Sequence, residues 1–325
     1  MPPGWTVKPI HRLPDESGLD RGTVTQGVEI DPETLIDAAG VRHAPVTAPA
    51  RIVSLVPSIT ELLFALKLED QVVGRTHYCI HPAPLVAAIP SVGGTKKIHY
   101  ARLQALRPTH VIVNVDENPR ELAERLIGDG LQVIVTHPLA PEDNVSLYRL
   151  IGGIFSRAAE AEALAARFEQ TLAELRQVAW PRRRVLYLIW RKPWMGVSRD
   201  TYIARMLALV GLETLPAESE ARYPELALDK ALLDTADLIL FSSEPYRFLP
   251  EHLETFARDY ACRLEKLRLI DGEMTSWYGS RAIQGLRYMG QLACSNFIFA
   301  NKPMKFIMLS QQSITLRVGY ESQKT

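Results

Sequence analysis

Short apolar runs alternate with helical segments along most of the chain. The runs are rich in Val, Ile and Leu, are bounded by Pro, Asn, Asp or Gly, and are too short for buried helices. Buried strands separated by helices are typical of βαβ units with a parallel sheet. The pattern predicts strands over residues 51–57, 72–76, 109–115 and 132–137, and again over 183–190, 237–243 and 267–272.

One long helix interrupts this alternation. Residues 157–178 contain neither Gly nor Pro, and at ~1.5 Å per residue they predict a helix roughly 33 Å long. One face of this helix is apolar, formed by Leu164, Phe168, Leu172 and Leu175. The sequence therefore predicts an α/β fold of two Rossmann-like lobes joined by a single long backbone helix, with a ligand cleft between the lobes.

The predicted boundaries divide the chain into five segments. Ser58 is predicted to cap the first helix, with Glu61 reaching back to complete a capping box. The segments are an extended leader (1–50), an N-terminal lobe (51–156), the connecting helix (157–179), a C-terminal lobe (180–294) and an atypical tail (295–325).

Composition narrows the function classes. The chain has 325 residues and equal numbers, 37 each, of basic and acidic residues, which gives no support for nucleic acid as a partner. No segment approaches the ~20 apolar residues of a membrane helix. The first residues lack a basic stretch followed by an apolar run, so a cytoplasmic monomer is expected, the alternative being a periplasmic protein with a misassigned start. The three cysteines, Cys79, Cys262 and Cys294, are too sparse for a disulfide framework.

The loop after the second strand carries candidate metal ligands. His77, Cys79 and His81 lie within five residues, and a thiol with two imidazoles can bind Zn, Fe or a corrin cobalt. The spacing differs from that of structural zinc sites. The alternative is a loop with hydrogen-bonded histidines and a buried thiol.

Other strand ends carry aromatic and charged side chains. Trp190, Arg191 and Trp194 follow a strand of the second half, where exposed aromatic and cationic residues favour recognition. Asp116 and Glu117 follow a strand of the first half. These acids either serve turn and capping chemistry or face a cationic part of a ligand.

The opening RIVSLVPSITELLFAL and the step RPTHVIV resemble the class III substrate-binding proteins that serve vitamin B12 and ferric-siderophore importers. The similarity covers roughly residues 50–293, and the family fold is the helical-backbone metal receptor. The resemblance implies a ligand held between the lobes. Matched to cobalamin-binding members, the cleft positions are Tyr78, Thr95 in place of an aromatic residue, Tyr223 and Trp277.

The resemblance also bears on a transporter partner. Members of this family dock on an ABC transporter through one acidic residue on each lobe. In this sequence the two positions are occupied by Ala101 and Asp229, so one docking acid is absent, which argues against docking.

These observations predict a non-catalytic binding protein that requires no cofactor. Its expected ligand is a cobalamin-like corrinoid or another metal chelate, such as a ferric siderophore or haem. The alternatives are an enzyme that handles a metal or tetrapyrrole with the His77–His81 loop, and a cytoplasmic ligand sensor. The predicted ligand-binding residues are Tyr78, Thr95, Lys96, Asp116, Trp190, Arg191, Trp194, Tyr223, Glu244 and Trp277.

Overall fold

The computed structural model describes residue 31 and residues 34–298. Residues 1–30 of the predicted leader and residues 299–325 of the predicted tail lie outside the described residues. Between residues 34 and 298, no helix is long and apolar enough to cross a membrane.

The N-terminal lobe contains a four-stranded parallel sheet in the order β2-β1-β3-β4. All four strands lie within the predicted apolar runs, and their Val and Ile side chains are buried on both faces of the sheet, apart from the partly buried Val73. The strands are β1 (Ile52–Ser54), β2 (Val72–Arg75), β3 (His110–Asn114) and β4 (Gln132–Thr136). The helices of this lobe are α1 (Pro57–Ala65), α2 (Tyr100–Ala105) and α3 (Arg120–Gly128).

Two helices, α4 (Asp143–Ile154) and α5 (Ala158–Arg176), follow β4. α5 is the predicted connecting helix, and its apolar face is buried as predicted. The prediction missed α4, which packs against α5. A Cβ atom on Gly152 of α4 would lie only 2.4 Å from the Cβ atom of Ala161, so the close approach of the two helices requires a glycine there.

The C-terminal lobe repeats the strand order of the first lobe. Its parallel strands are ordered β7-β5-β8-β9, and a short β6 pairs antiparallel with β5. The strands are β5 (Arg183–Trp190), β6 (Met195–Gly196), β7 (Leu212–Leu215), β8 (Leu238–Ser242) and β9 (Leu267–Ile270). The helices are α6 (Tyr202–Ala208), α7 (Lys230–Thr235), α8 (Pro250–Asp259), α9 (Gly272–Ser276) and α10 (Ala282–Ile298). β7 was not predicted, because its sequence Leu-Glu-Thr-Leu lacks the continuous apolar run that marks most of the other strands.

The described part of the predicted leader packs along the outer strand β4. The backbone N–H of Ala38 donates to the carbonyl of Val135 at 2.9 Å, and the N–H of Val135 donates to the buried Asp37 carboxylate at 3.0 Å. The side chain of Leu35 is fully buried in the same core. This segment thereby covers part of a sheet edge whose backbone groups would otherwise be unpaired.

The capping box predicted for α1 is wrong. The helix begins at Pro57, so the predicted cap Ser58 lies inside its first turn, and the actual N-cap residue Val56 makes no side-chain capping hydrogen bond. Glu61 does not reach back to the helix start. Its carboxylate forms an ion pair with Arg281 of the other lobe.

Candidate functional site

Loops at the carboxyl ends of strands from both lobes meet in one region, which we call the cleft. Side chains of the first lobe contact side chains of the second. The first-lobe residues precede α4 in the chain, and the second-lobe residues follow β7 or β9. A ligand site at the carboxyl ends of parallel strands is expected for such sheets. The contacts join non-equivalent strand ends, since Asp116 follows β3 and Arg222 follows β7, which is the counterpart of β2. The cross-lobe pairs are Asp116–Arg222, Glu117–Tyr278, His81–Glu273 and Glu61–Arg281.

The Asp116–Arg222 pair has the shortest distance of these four contacts. Nη1 of Arg222 donates to both carboxylate oxygens of Asp116, at 2.5 and 2.8 Å, and the Arg222 side chain is only 7% exposed. His137 lies beside both, with its Nε2 3.3 Å from Nη1 of Arg222. Burial would raise the pKa of Asp116, but His137 and Arg222 together hold it below its ordinary value. Asp116 is therefore ionised in the folded protein at neutral pH.

Glu117 has a different environment from its neighbour. Its Oε1 accepts a hydrogen bond from the Tyr278 hydroxyl at 2.7 Å, a neutral donor. The pKa of Glu117 is raised to about 7, mainly by burial. The hydrogen bond from Tyr278 and the charge of Lys96 oppose the rise, and the carboxylate of Glu244 contributes to it. The Glu117 carboxyl therefore changes charge near neutral pH.

Glu244 follows β8 in the second lobe, at the strand end equivalent to that of Glu117 after β3. Its Oε1 accepts hydrogen bonds from Ser276 Oγ at 3.0 Å and from Trp277 Nε1 at 2.7 Å. Burial raises the pKa of Glu244, and the charges of Glu273 and Asp271 add to the shift. Each lobe thus presents to the cleft one carboxyl group held by neutral donors.

An ion network links the remaining loops. Arg281 donates to both oxygens of Glu61 at 2.8 Å and lies 3.2 Å from Glu273, whose carboxylate is 3.0 Å from His81 Nε2. The Trp277 ring is enclosed by this network, with the His81 ring edge-on at 5.6 Å and the Arg281 guanidinium at 5.0 Å. The network fixes one aromatic residue of the second lobe against the first.

The structure does not support the predicted metal site at His77, Cys79 and His81. Among the described residues, no three His, Cys, Asp or Glu side chains are grouped so as to hold a metal ion. The Cys79 thiol is fully buried, with the hydroxyls of Thr60 and Thr76 at 3.0 and 3.1 Å. His77 packs on Tyr78 and His81 points to Glu273, so the three side chains diverge.

Cys79 is expected to resist alkylation in the folded protein. Burial raises the pKa of its thiol, and its side chain has no exposed surface, whereas Cys262 is partly exposed. Treatment with iodoacetamide at pH 8, followed by peptide mass spectrometry, should modify Cys262 at least tenfold faster than Cys79. In urea the two rates should become similar. Equal rates in the native protein would contradict the buried position of Cys79.

The predicted aromatic residues divide into two groups. Tyr78 (55% exposed) and Trp190 (40% exposed) present open ring surfaces, Tyr223 is half-buried beside Arg222, and Trp277 is nearly buried. Trp194 instead packs in the second-lobe core, stacked on Phe248, and its indole N–H donates to the Tyr260 hydroxyl at 2.7 Å. The structure therefore gives Trp194 a packing role, not a place in the cleft.

The predicted polar residues also have different roles in the structure. Lys96 Nζ donates to the backbone carbonyl of Asp116 at 2.8 Å, and the carbonyl of Thr95 accepts from Asn118 at 2.9 Å, so both residues brace the loop after β3. Arg191 lies over the Trp194 ring at 5.9 Å. Asp229 caps α7 by accepting from the N–H of Leu232 at 2.8 Å, and Ala101 lies exposed in the first turn of α2.

Sequence reasoning missed six residues of the cleft. Three of them lie close to residues that were singled out, since Arg222 directly precedes Tyr223, and Tyr278 and Arg281 follow Trp277 by one and four positions. A cation or hydroxyl close to a predicted cleft aromatic residue is the signal that could have identified them. The six residues are Glu61, His137, Arg222, Glu273, Tyr278 and Arg281.

Several curated proteins resemble this chain. The vitamin B12-binding protein of Photorhabdus laumondii is 23% identical over 211 residues, which cover 64% of this chain and 76% of the relative. The vitamin B12-binding protein of Pectobacterium carotovorum is 21% identical over 201 residues, covering 61% of this chain and 72% of the relative.

Solved structures share the fold. The periplasmic vitamin B12 binding protein BtuF of Vibrio cholerae has a TM-score of 0.67 at 18% identity, covering 77% of this chain and 98% of that protein. The periplasmic heme-binding protein RhuT of a Roseiflexus species has a TM-score of 0.66 at 23% identity, covering 78% of this chain and 100% of that protein. This likeness confirms the predicted two-lobed α/β fold.

A family model described as periplasmic binding protein matches residues 52–260, more than half of the chain and parts of both lobes. The match confirms the resemblance inferred from the opening strand and helix. It favours a non-catalytic ligand-binding protein over the enzyme alternative, and the periplasmic alternative over the cytoplasmic expectation. The chain belongs to the periplasmic binding protein family.

Proposed function

We propose that this protein is a non-catalytic receptor that holds a bulky metal chelate, a corrinoid or a related tetrapyrrole, between its two lobes. The observation that carries the proposal is the convergence of segments from both lobes, with aromatic and charged side chains, in one cleft. Relatives that are vitamin B12-binding or heme-binding proteins support this ligand class.

The aromatic residues suit a large, partly apolar ligand. Tyr78 of the first lobe and Trp190 of the second are exposed, although burial of such rings would stabilise a folded protein. Trp190 is held by an edge-on contact with Tyr246 at 5.5 Å, so it is exposed but ordered. Rings held in this way bind a planar macrocycle at little cost in side-chain entropy.

Two positions of this chain bear on docking to an ABC transporter. Two-point docking needs an exposed acid on each lobe, and in this chain one position is Ala101 and the other, Asp229, caps α7. A single exposed ion pair contributes only ~0–1 kcal/mol. We therefore propose that this protein docks weakly, or not at all, on a transporter through these two positions.

Titration of the purified protein with hydroxocobalamin and with haemin, followed by absorbance and tryptophan fluorescence, tests the proposal. We expect saturable binding of one molecule per chain for at least one of them. Tyr78→Ala and Trp190→Ala should each weaken that binding about tenfold, since a stacking aromatic contributes ~1 kcal/mol or more. Leu264→Ala is the matched control, because Leu264 is an exposed apolar residue just before β9, at the opposite end of the sheet. If neither compound shows saturable binding, the proposal is refuted.

A further inference from the structure

The cations buried in the cleft already have acidic partners within the protein. Arg222 is paired with Asp116, and Arg281 is paired with both Glu61 and Glu273. The side chains of both arginines are less than one tenth exposed. Neither guanidinium is therefore available to an anionic group of a ligand unless an existing ion pair breaks.

Two carboxyl groups of the cleft accept no hydrogen bond from a cationic side chain. Glu117 accepts from Tyr278, and Glu244 accepts from Ser276 and Trp277, all of them neutral donors. In both residues the bonds involve Oε1, and the described residues donate no hydrogen bond to either Oε2 atom. Each of these groups can therefore accept hydrogen bonds from a ligand.

The positive charge of Lys96 lowers the pKa of Glu117, but Lys96 does not form an ion pair with that carboxyl group. Its side chain is exposed, and its ammonium group donates to the backbone carbonyl of Asp116 at 2.8 Å. Solvent screens an exposed charge more strongly than it screens the buried carboxyl groups. Glu117 contacts Tyr278 and Glu244 contacts the adjacent Trp277, so the carboxyl groups of the two lobes lie at one part of the cleft.

We infer that Glu117 and Glu244 make the cleft selective for metal chelates whose periphery carries hydrogen-bond donors or positive charge, such as carboxamide groups, and against chelates that carry ionised carboxylates. This inference rests on the proposed function and specifies the ligand class of the same cleft. An amide N–H placed against either carboxylate satisfies an acceptor, whereas a ligand carboxylate placed there meets a like charge in a partly desolvated site.

A pair of ligands that differ in one group tests this selectivity. Cyanocobalamin carries peripheral carboxamides, and its monocarboxylic acid derivative has one of them hydrolysed. Both should be titrated by calorimetry at pH 8 against the wild type, Glu117→Gln, Glu244→Gln and the double variant. Glu162→Gln is the control, because Glu162 lies on α5 and pairs with Arg149 away from the cleft. Circular dichroism checks that each variant is folded.

We expect the wild type and Glu162→Gln to bind the carboxamide form at least tenfold more tightly than the acid. The double variant should lose most of that ratio, and each single variant part of it. Equal binding of the two forms by the wild type, or an unchanged ratio in the double variant, would overturn the inference and leave the proposed function intact. Absence of binding by both forms and by haemin would overturn both.

Discussion

Replacement of Asp116 by Ala is expected to lower the free energy of unfolding by about 3 kcal/mol. The change leaves the Arg222 guanidinium buried without its carboxylate, and an uncompensated buried charge is far more costly than the loss of an exposed ion pair. Asp116 and Arg222 belong to different lobes, so the change removes an ion pair that joins the two lobes across the cleft. Urea denaturation followed by circular dichroism measures the effect.

Two comparisons separate this buried pair from ordinary surface charges. The double variant Asp116→Ala/Arg222→Met removes both charges and should recover most of the lost stability. Glu162→Ala breaks the exposed pair with Arg149 and should cost only ~0–1 kcal/mol. An Asp116→Ala variant no less stable than Glu162→Ala would contradict the pairing across the cleft.

The second large effect is expected in the pH dependence of stability. The pKa of Glu117 is raised in the folded protein from 4.5 to about 7, so the folded state favours the protonated carboxyl. The resulting contribution to stability is fully present below pH 4.5 and is lost as the pH rises to about 7. At ~1.4 kcal/mol per pKa unit, Glu117 should lower the stability of the wild type by about 2–3 kcal/mol between pH 4.5 and 8.

Glu117→Gln should remove this dependence, because glutamine keeps the acceptor for Tyr278 but does not ionise. The stability of the variant relative to the wild type should therefore increase steadily from pH 5 to pH 8 in urea denaturation. Glu162→Gln, measured in the same way, should follow the wild type at a constant offset. Parallel curves for Glu117→Gln and the wild type would show that the carboxyl is not buried as described.

The strands of the lobes were predicted well because most of them are short runs of apolar residues. The strands β1, β3 and β4 consist mainly of buried Val and Ile, which gives an unambiguous signal without any partner. The helix α4 was missed because Gly152 and Gly153 interrupt its pattern. The structure shows that the first of these glycines is needed for contact with α5, so packing outweighs helix propensity at that position.

The cleft was predictable only in outline. Strand-end loops could be recognised, but Asp116 and Arg222 are 106 residues apart, and Glu117 and Tyr278 are 161 apart. No local pattern indicates which acid meets which cation at such separations. The loop of Cys79 shows the converse, since three residues of metal-binding types within five positions diverge once the thiol is buried beside Thr60 and Thr76.

The central claim is that a metal chelate binds between the lobes. The most direct measurement is anomalous X-ray diffraction at the cobalt absorption edge from crystals grown with hydroxocobalamin. The account predicts one strong cobalt peak in the cleft, with Tyr78 and Trp190 on opposite lobes beside the ligand and Glu117 and Glu244 within reach of its amide groups. A cobalt peak on the outer surface of either lobe, with the cleft closed by the Asp116–Arg222 pair, would contradict it.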